Sequence, residues 1–504
     1  MKMMKNLLLG TAVGFMAVPV AQAADLPVKA KPVQYVKVCD QYGAGFYYMP
    51  GSDICIKIGG YVRNQHYWNA GTSSTATLFF SPSPPATRLA SDDNLYSMRM
   101  RTVASIDTRT QSDYGTIRTY LTLGWTQDYS SAATTALYAN RAFIQFAGFT
   151  FGKATSFYDL WSSPYNSYFA IYSSDSGDGG WGVAAYTAQL GNGVSLTIAA
   201  EEARRQSVSN AIPTAAGVSP GLASWAIGGI ANTIGQGDFK YPDVVAALRV
   251  DQAWGSAQVM GAIHDISAGY YFGTTSTQLI SSNAHPSDKV GWAVGVGGIF
   301  NTDVILGDAK GSKASFQFNY TEGAPRYANI TQTPTSSMSL FGANRVFGMG
   351  PMAEAVYSST ATGGVGAQPN LELTKVWGVN AAYDHVWNPQ WKTSVYGSYL
   401  KWDYNTNATT SMCATSPFNA ITVATCNPDF SYFQVGSRTQ WNVTKDFYMG
   451  VDVMYSGLNT MSKGGIVPTS ASGFPAVNNV GGNYTLKDMN AWAGTFRVHR
   501  DFLP

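Results

Sequence analysis

Apolar and polar side chains alternate along several stretches of this sequence with the two-residue period of a β-strand. The clearest stretch is SMRMRTVASIDTRT, residues 97–110. Met98 and Met100 fall on one face of such a strand, while Arg99 and Arg101 fall on the other. The same alternation returns in the next run and again near the end of the chain. The pattern predicts strands with one apolar and one polar face.

Tight turns and long polar loops alternate between the predicted strands, which have about the 9–11 residues of a tilted membrane strand. The tight turns are expected near residues 111–115, 147–150, 190–193, 253–256, 302–312, 388–390 and 442–446. Seven tight turns and eight long loops join sixteen strands, an even number, as a closed bacterial barrel requires. The predicted fold is therefore all-β, a transmembrane antiparallel β-barrel of 16 strands.

Aromatic side chains mark the ends of these predicted strands. Trp387 and Trp391 flank the turn at 388–390, and Trp402 and Tyr404 lie at the far end of the same strand. Two such belts are typical of a barrel wall that meets the membrane interface on both sides. Alternation by itself also fits a soluble secreted β-sandwich binding module, so that alternative stays open.

The first residues read as a targeting segment rather than as part of the fold. Lys2 and Lys5 precede an apolar stretch at 7–20, which ends in Ala21-Gln22-Ala23, the small-x-small pattern of a signal peptidase site. We expect residues 1–23 to be a cleaved signal peptide and residues 24–504 to form the barrel domain. After the signal, the chain has no uninterrupted apolar run of about 18 residues, which a transmembrane helix needs.

Net charge and cysteine content limit the classes of partner and cofactor that the sequence predicts. Removing Lys2 and Lys5 from the 32 basic residues leaves 30, equal to the 30 acidic ones, so no nucleic-acid partner is expected. The four cysteines fall into two local pairs, Cys39 with Cys55 and Cys413 with Cys426, and in an exported protein these favour two disulfides. Zinc is the weaker alternative because the spacings are not C-x-x-C. We expect no metal and no cofactor.

The sequence lacks a complete phosphate-binding loop and a zinc-protease motif. The run GFTFGK at 148–153 is one residue short of a phosphate-binding loop, and H-E-x-x-H does not occur. The sequence therefore predicts no enzyme. A hydrolase built on the wall of an outer-membrane barrel stays as an alternative, because sequence spacing cannot exclude a triad assembled by the fold.

Several segments together resemble one known family. They are the mature start ADLPVKAKPVQYVKVCDQYGAGFYYMPGSDICIKIGGYVR, the segment RAFIQFAGFTFGKATSFYDLW and the ending TFRVHRDF. These look like the alphaproteobacterial general porins of rhizobia and their relatives, over essentially the whole chain. One departure is that Leu503 and Pro504 follow the near-terminal Phe502, where the family usually ends on the aromatic residue.

The resemblance implies a trimeric outer-membrane porin whose third external loop folds inward to narrow the pore. Such a porin is a passive, water-filled diffusion channel for small hydrophilic solutes and ions. The expected partners are two further copies in a homotrimer, outer-membrane lipid and lipopolysaccharide, and the solutes themselves. The expected location is the bacterial outer membrane.

In a membrane barrel, the cost of placing arginine against lipid determines which face of the strand the arginines of the opening stretch occupy. An arginine on the lipid face near the midplane costs about 2–4 kcal/mol, so Arg99 and Arg101 should face the lumen. The same alternation turns further basic side chains inward on the first, third and last strands, and the first and last strands pair when a barrel closes. These side chains are Lys57, Arg63, Arg118 and Arg497. Together they are predicted to form one basic wall, although ion pairing that only stabilises the wall is an alternative.

The segment after Gly152 is, by the resemblance, the constriction loop. It carries Asp159, Asp175 and Asp178, which we expect to face the basic wall and to create a transverse field across the pore. Calcium binding by SDSGDGG, residues 174–180, is an alternative because acidic residues among glycines can offer oxygen ligands.

Overall fold

The computed structural model of the chain describes most of the residues that follow the predicted signal peptide. The described ranges are 37–69, 96–129, 134–160, 165–177, 179–210, 240–267, 287–329, 337–342, 345–358, 370–414, 418, 421–468 and 483–502. The predicted signal peptide and Asp178 lie outside them.

Sixteen strands within the described ranges form one closed sheet, and we number them β1 to β16 in chain order. Their bounds are β1 Cys55–Trp68, β2 Tyr96–Ser112, β3 Gly115–Tyr129, β4 Thr134–Phe146, β5 Phe149–Ala154, β6 Trp181–Gly191, β7 Val194–Glu201, β8 Asp243–Gln252, β9 Gly255–Ile266, β10 Lys289–Asn301, β11 Lys313–Glu322, β12 Lys375–Val386, β13 Trp391–Asp403, β14 Phe430–Asn442, β15 Phe447–Asn459 and β16 Met489–Asp501.

Each strand pairs antiparallel with the next, and β16 pairs antiparallel with β1. In the closing pair, Gln65 lies opposite Arg497. A sheet that closes on itself satisfies the hydrogen bonds of the main chain along both sides of every strand, which a lipid environment demands. The predicted sixteen-stranded barrel is confirmed, and it replaces the sandwich alternative.

All seven predicted tight turns join consecutive strands of the barrel. The longest of them, at 302–312, contains the short helix α1, Thr302–Leu306. One of the eight loops expected to be long is short, because β3 and β4 extend until only residues 130–133 separate them. No helix in the described part of the chain is long and apolar enough to cross a membrane.

The outer face of the barrel is apolar along the length of the strands. Val62, Leu123 and Val296 are among the large apolar side chains exposed there. Rings lie close together near the loop ends of neighbouring strands, with centroids 5.2 Å apart for Trp377 and Tyr399. An aromatic belt therefore follows the wall at that level.

The expectation that Trp402 and Tyr404 belong to that belt is wrong. Trp402 is only 2% exposed and its ring stacks on Phe430, with centroids 5.6 Å apart. Tyr404 is buried beneath the external loops and donates its hydroxyl to the carbonyl of Pro351. The alternation along β13 turns Trp402 toward the inside, where apolar loop residues cover it.

The external loops between β11 and β16 pack into a cap with an apolar core of its own. Helix α2, Thr406–Cys413, lies in this cap, and the Cys413–Cys426 disulfide closes its end. Phe347, Met412 and Met461 are among the residues buried in the core. Four short strands form a small sheet in the same region: Ser337–Gly342, Val346–Pro351, Ile466–Pro468 and Asn483–Leu486. Both predicted disulfides are thus present.

Candidate functional site

Six of the predicted basic residues share the inner face of four adjoining strands, and we call them the cationic strip. Its members are Lys57 and Arg63 on β1, Arg99 and Arg101 on β2, Arg118 on β3 and Arg497 on β16. The strand register brings them together: Arg63 lies directly opposite Arg101 on one side and opposite His499 on the other.

Two carboxylates on the same wall pair with arginines of the strip. Asp128 on β3 accepts both hydrogen bonds of a bidentate pair with Arg99, at 2.5 and 2.8 Å. Asp107 on β2 accepts from Arg109 and Arg118, each with a closest contact of 2.9 Å. The inner wall at the strip therefore carries two carboxylates among its cations and is not a purely basic surface.

The other arginines of the strip are supported by polar and aromatic neighbours. Arg63 donates to His499 at 3.2 Å and lies over the ring of Tyr61. Arg101 donates to the hydroxyl of Thr126 at 3.1 Å. Such contacts fix the direction of a guanidinium while leaving its charge in place.

The segment between β5 and β6, residues 155–180, folds inward, and we call it the constriction loop. Near its start, Ser156 and the backbone N–H of Phe157 both donate to the carboxylate of Glu201, at 2.6 and 2.8 Å. The ring of Tyr158 then packs on Tyr327, with centroids 4.7 Å apart. The loop therefore begins along the inner wall on the β7 side.

The middle of the constriction loop reaches the inner wall of β13 to β16. Ser167 and the backbone N–H of Tyr168 donate to Asp452 at 2.8 and 2.6 Å, and Tyr396 donates to the other oxygen of the same carboxylate. Arg497 donates to the carbonyl of Tyr168 at 3.2 Å. Contacts to strands on both sides show that the loop crosses the interior of the barrel.

The structure places the acidic residues of the loop differently from the expectation. Asp159 forms an ion pair with Arg204 at 3.0 Å, and both side chains are almost completely buried. It is therefore turned to Arg204 rather than to the cationic strip, because a buried guanidinium needs a carboxylate partner. Asp175 is 9% exposed and accepts from the backbone N–H of Gly177 at 2.8 Å. Asp178 lies outside the described residues.

Sequence reasoning missed Asp128, Asp452 and Arg204, and it placed Asp107 on the polar face of the opening stretch without giving it a role. The sequence does indicate the position of Asp107, because this residue alternates in phase with the inward arginines of the opening stretch. Arg204 lies in the charged run EEARR directly after β7, where a solvated loop is the ordinary expectation. Its burial depends on the constriction loop, 45 residues away along the chain.

Of the two acidic residues in SDSGDGG, the structure describes Asp175 alone. Asp175 already accepts a backbone hydrogen bond. Across the described ranges, no group of three or more His, Cys, Asp or Glu side chains is placed to hold a metal ion. The interior instead offers charges of both signs around a barrel partly filled by an inward loop.

A protein-family model described as Porin subfamily matches residues 25–495 of the chain. Porin Omp2b of Brucella melitensis biotype 1 is 28% identical over 263 residues, which cover 50% of this chain and 63% of that protein. Porin Omp2b of Brucella abortus strain 2308 has the same identity and coverage. The chain thus spans less than two thirds of the length of these curated relatives.

A solved structure with the same architecture is the outer membrane channel DcaP of Acinetobacter baumannii. It matches with a TM-score of 0.51 and 13% identity, covering 90% of this chain and 99% of that channel. At this identity the likeness concerns the fold alone.

Proposed function

Because the chain belongs to the porin subfamily and lies in the bacterial outer membrane, we propose that it forms a passive, water-filled channel for small hydrophilic solutes and ions. The observation that carries the proposal is the inside of the barrel. The inner wall of the barrel carries the cationic strip. The constriction loop lies across the interior and would narrow the path of a solute. An interior lined by charged side chains behind an apolar outer face suits a channel rather than an apolar packed core.

The charges of the strip would act on solutes together with the size of the opening. Arg99 and Arg118 are paired with Asp128 and Asp107, so each pair presents a dipole across the wall. Low-dielectric walls make such charges count for more than they would in bulk water. We propose Lys57, Arg63, Arg99, Arg101, Arg118 and Arg497 as pore-lining residues, with the constriction loop opposite them. Ion pairing also stabilises the wall, and the two roles coexist.

We propose a homotrimer that contacts outer-membrane lipid and lipopolysaccharide through its apolar outer face. The short strand β5 supports an assembly of several subunits. Its six residues span about 20 Å of chain, or about 14 Å of height at a tilt of ~45°. A lipid-facing apolar band is about 25 Å tall. The wall at β5 is too low for that band, and an adjacent subunit would cover it.

The same interior argues against the hydrolase alternative. Among the histidines in the described ranges, His264 on β9 has the shortest distance to a carboxylate, with its Nδ1 2.7 Å from Asp243 on β8. Its other ring nitrogen lies 3.4 Å from Glu354, and all three side chains are buried. Both ring nitrogens of His264 thus face carboxylates, which leaves this histidine no nitrogen for a serine nucleophile. We therefore propose a channel with no enzymatic activity.

Reconstitution of the detergent-extracted protein into planar lipid bilayers tests the proposal. Discrete conductance steps, often in groups of three, are expected from a trimeric channel. A chain that inserts as a folded barrel and never conducts contradicts the proposal. Extraction into the aqueous phase without detergent contradicts it as well.

A further inference from the structure

The N-terminal segment before β1 is folded against the inside of the barrel. Its residues 37–39 and 46–48 form a short ladder, with Val38 opposite Tyr47 and Tyr48 donating to the carbonyl of Lys37 at 2.8 Å. Tyr47 and Tyr48 in turn pair with the first two residues of β1. We call residues 37–54 the N-terminal hairpin.

The hairpin occupies a gap at the seam of the barrel. β16 pairs with β1 only from Tyr61 to Trp68, so the first part of β1 has no β16 residue beside it. Tyr47 and Tyr48 take that place at the turn end of the barrel. The ladder of the wall is thereby continued on the periplasmic side, where bacterial barrels have their short turns.

Side chains of the hairpin point to the lumen at this end. Cys55 is in phase with the inward Lys57 of β1 and forms the disulfide with Cys39. The two cysteines and Phe46 make a small buried cluster, with Tyr42 packed beside them. The disulfide therefore holds an aromatic pair against the inner wall.

Two cations of the wall lie on these rings. The guanidinium of Arg109 is 4.7 Å from the ring centre of Phe46 and 5.6 Å from that of Tyr42. Lys57 donates to the carbonyl of Ala44 at 3.2 Å, and its ammonium group is 6.0 Å from the ring centre of Phe46. Aromatic faces hold a cation without neutralising it. Arg109 also shares the carboxylate of Asp107 with Arg118, so these three side chains together keep one net positive charge.

The hairpin is shaped for this contact at Gly45. This glycine has φ +87°, and a Cβ at its position would lie 3.2 Å from Cε of Lys57. The positive φ favours glycine, and a Cβ would press on the lysine side chain, which would have to shift by a few tenths of an ångström. The hairpin backbone thus passes directly over the lysine side chain.

We propose that the N-terminal hairpin forms a second constriction at the periplasmic mouth, where Lys57 and Arg109 on Phe46 and Tyr42 favour anionic solutes. This proposal rests on the proposed channel function. The hairpin narrows the mouth beside β1 and β2, and Cys39–Cys55 fixes its position. Its carboxylates Asp40 and Asp53 are exposed and lie outside the buried cluster.

The test compares the full chain with three variants in planar bilayers under a salt gradient. In the charge variant, Lys57→Gln with Arg109→Gln, Asp107 keeps Arg118 as a partner. We expect about a twofold fall in the anion-to-cation permeability ratio. The fall should be larger when the dilute solution is on the periplasmic side, since the Debye length grows to ~30 Å at 0.01 M. Lys445→Gln, in the exposed turn between β14 and β15, is the matched control and should leave the ratio unchanged.

The second variant, Cys39→Ser with Cys55→Ser, releases the hairpin without removing a charge. We expect higher single-channel conductance and more open-channel noise, with the barrel still folded. If the parent conducts and both variants keep its conductance and selectivity, the second constriction is wrong while the channel stands. If the parent itself never conducts, the proposed function fails first.

Discussion

Arg204 and Asp159 form an ion pair that ties the constriction loop to the segment after β7, with 3.0 Å between Nη2 and Oδ1. The arginine also donates to the carbonyl of Ser174, at the other end of the loop. Burial by itself lowers the pKa of the Arg204 guanidinium, but the carboxylates of Asp159 and Glu201 outweigh it and raise that pKa above its ordinary value. One charged side chain thus fixes both ends of the loop.

Replacing Asp159 by Asn should loosen the constriction loop. Removing one partner of a buried pair leaves an uncompensated charge and costs about 3–5 kcal/mol. We expect higher mean conductance and frequent switching between levels in single-channel records. The control is Lys463→Gln, which removes an ion pair whose lysine side chain is 67% exposed, and this variant should record like the parent. A quiet trace at parental conductance for Asp159→Asn contradicts the anchoring role.

Arg99 and Asp128 form the clearest charge pair of the cationic strip and allow a reciprocal test. Arg99→Gln leaves Asp128 without its bidentate partner and should shift the reversal potential toward cations, while Asp128→Asn should shift it toward anions. The double variant should lie close to the parent because the two charges cancel. All shifts should shrink at 1 M salt, where the Debye length is ~3 Å.

The outcome that counts against this role is simple to recognise. If both single variants fold, conduct and share the reversal potential of the parent at low salt, the pair does not border the water path. It then serves only the stability of the wall, as in the alternative drawn from the sequence.

The strand pattern could be predicted because it depends on neighbours in sequence. Alternation fixes which side chains share a face, so Arg63 and Arg101 could be assigned to the lumen before their pairing was known. The turns were predictable for the same reason. The aromatic belt was predictable only in part. Trp402 and Trp377 are both tryptophans near a strand end, but the alternation turns Trp377 outward and Trp402 toward the inside of the barrel.

The interior of the barrel could not be predicted because its contacts join distant segments. Ser167 reaches Asp452 across 285 positions, and Arg204 reaches Asp159 across 45. The alternation of side chains along a strand does not indicate such a contact. The acidic loop residues were therefore assigned a role from the resemblance and from their charge, and neither could indicate that Asp159 pairs with the buried Arg204.

The Cys413–Cys426 disulfide should stabilise the cap rather than the barrel. It closes a separation of 13 residues beside the core around Met412, and a loop near this size contributes about 3 kcal/mol. We expect the variant Cys413→Ser with Cys426→Ser to be cut faster by trypsin at the exposed Lys463. The barrel itself should resist unfolding in detergent as the parent does, because its ladder closes on itself. Equal cleavage rates in parent and variant argue against a stabilised cap.

Gly255, the first residue of β9, should be a glycine at which a single methyl group disturbs the barrel. Its φ is +132°, and a Cβ there would lie 2.0 Å from the carbonyl oxygen of Ile299 on β10. That oxygen belongs to backbone and cannot move aside without breaking the ladder. Gly307 has φ +68° with nothing within 4 Å, so it separates backbone strain from the clash. Gly307→Ala should cost about 1–2 kcal/mol, whereas Gly255→Ala should lower the unfolding temperature in detergent clearly further. Equal losses in the two variants contradict the close approach of β9 and β10 at this position.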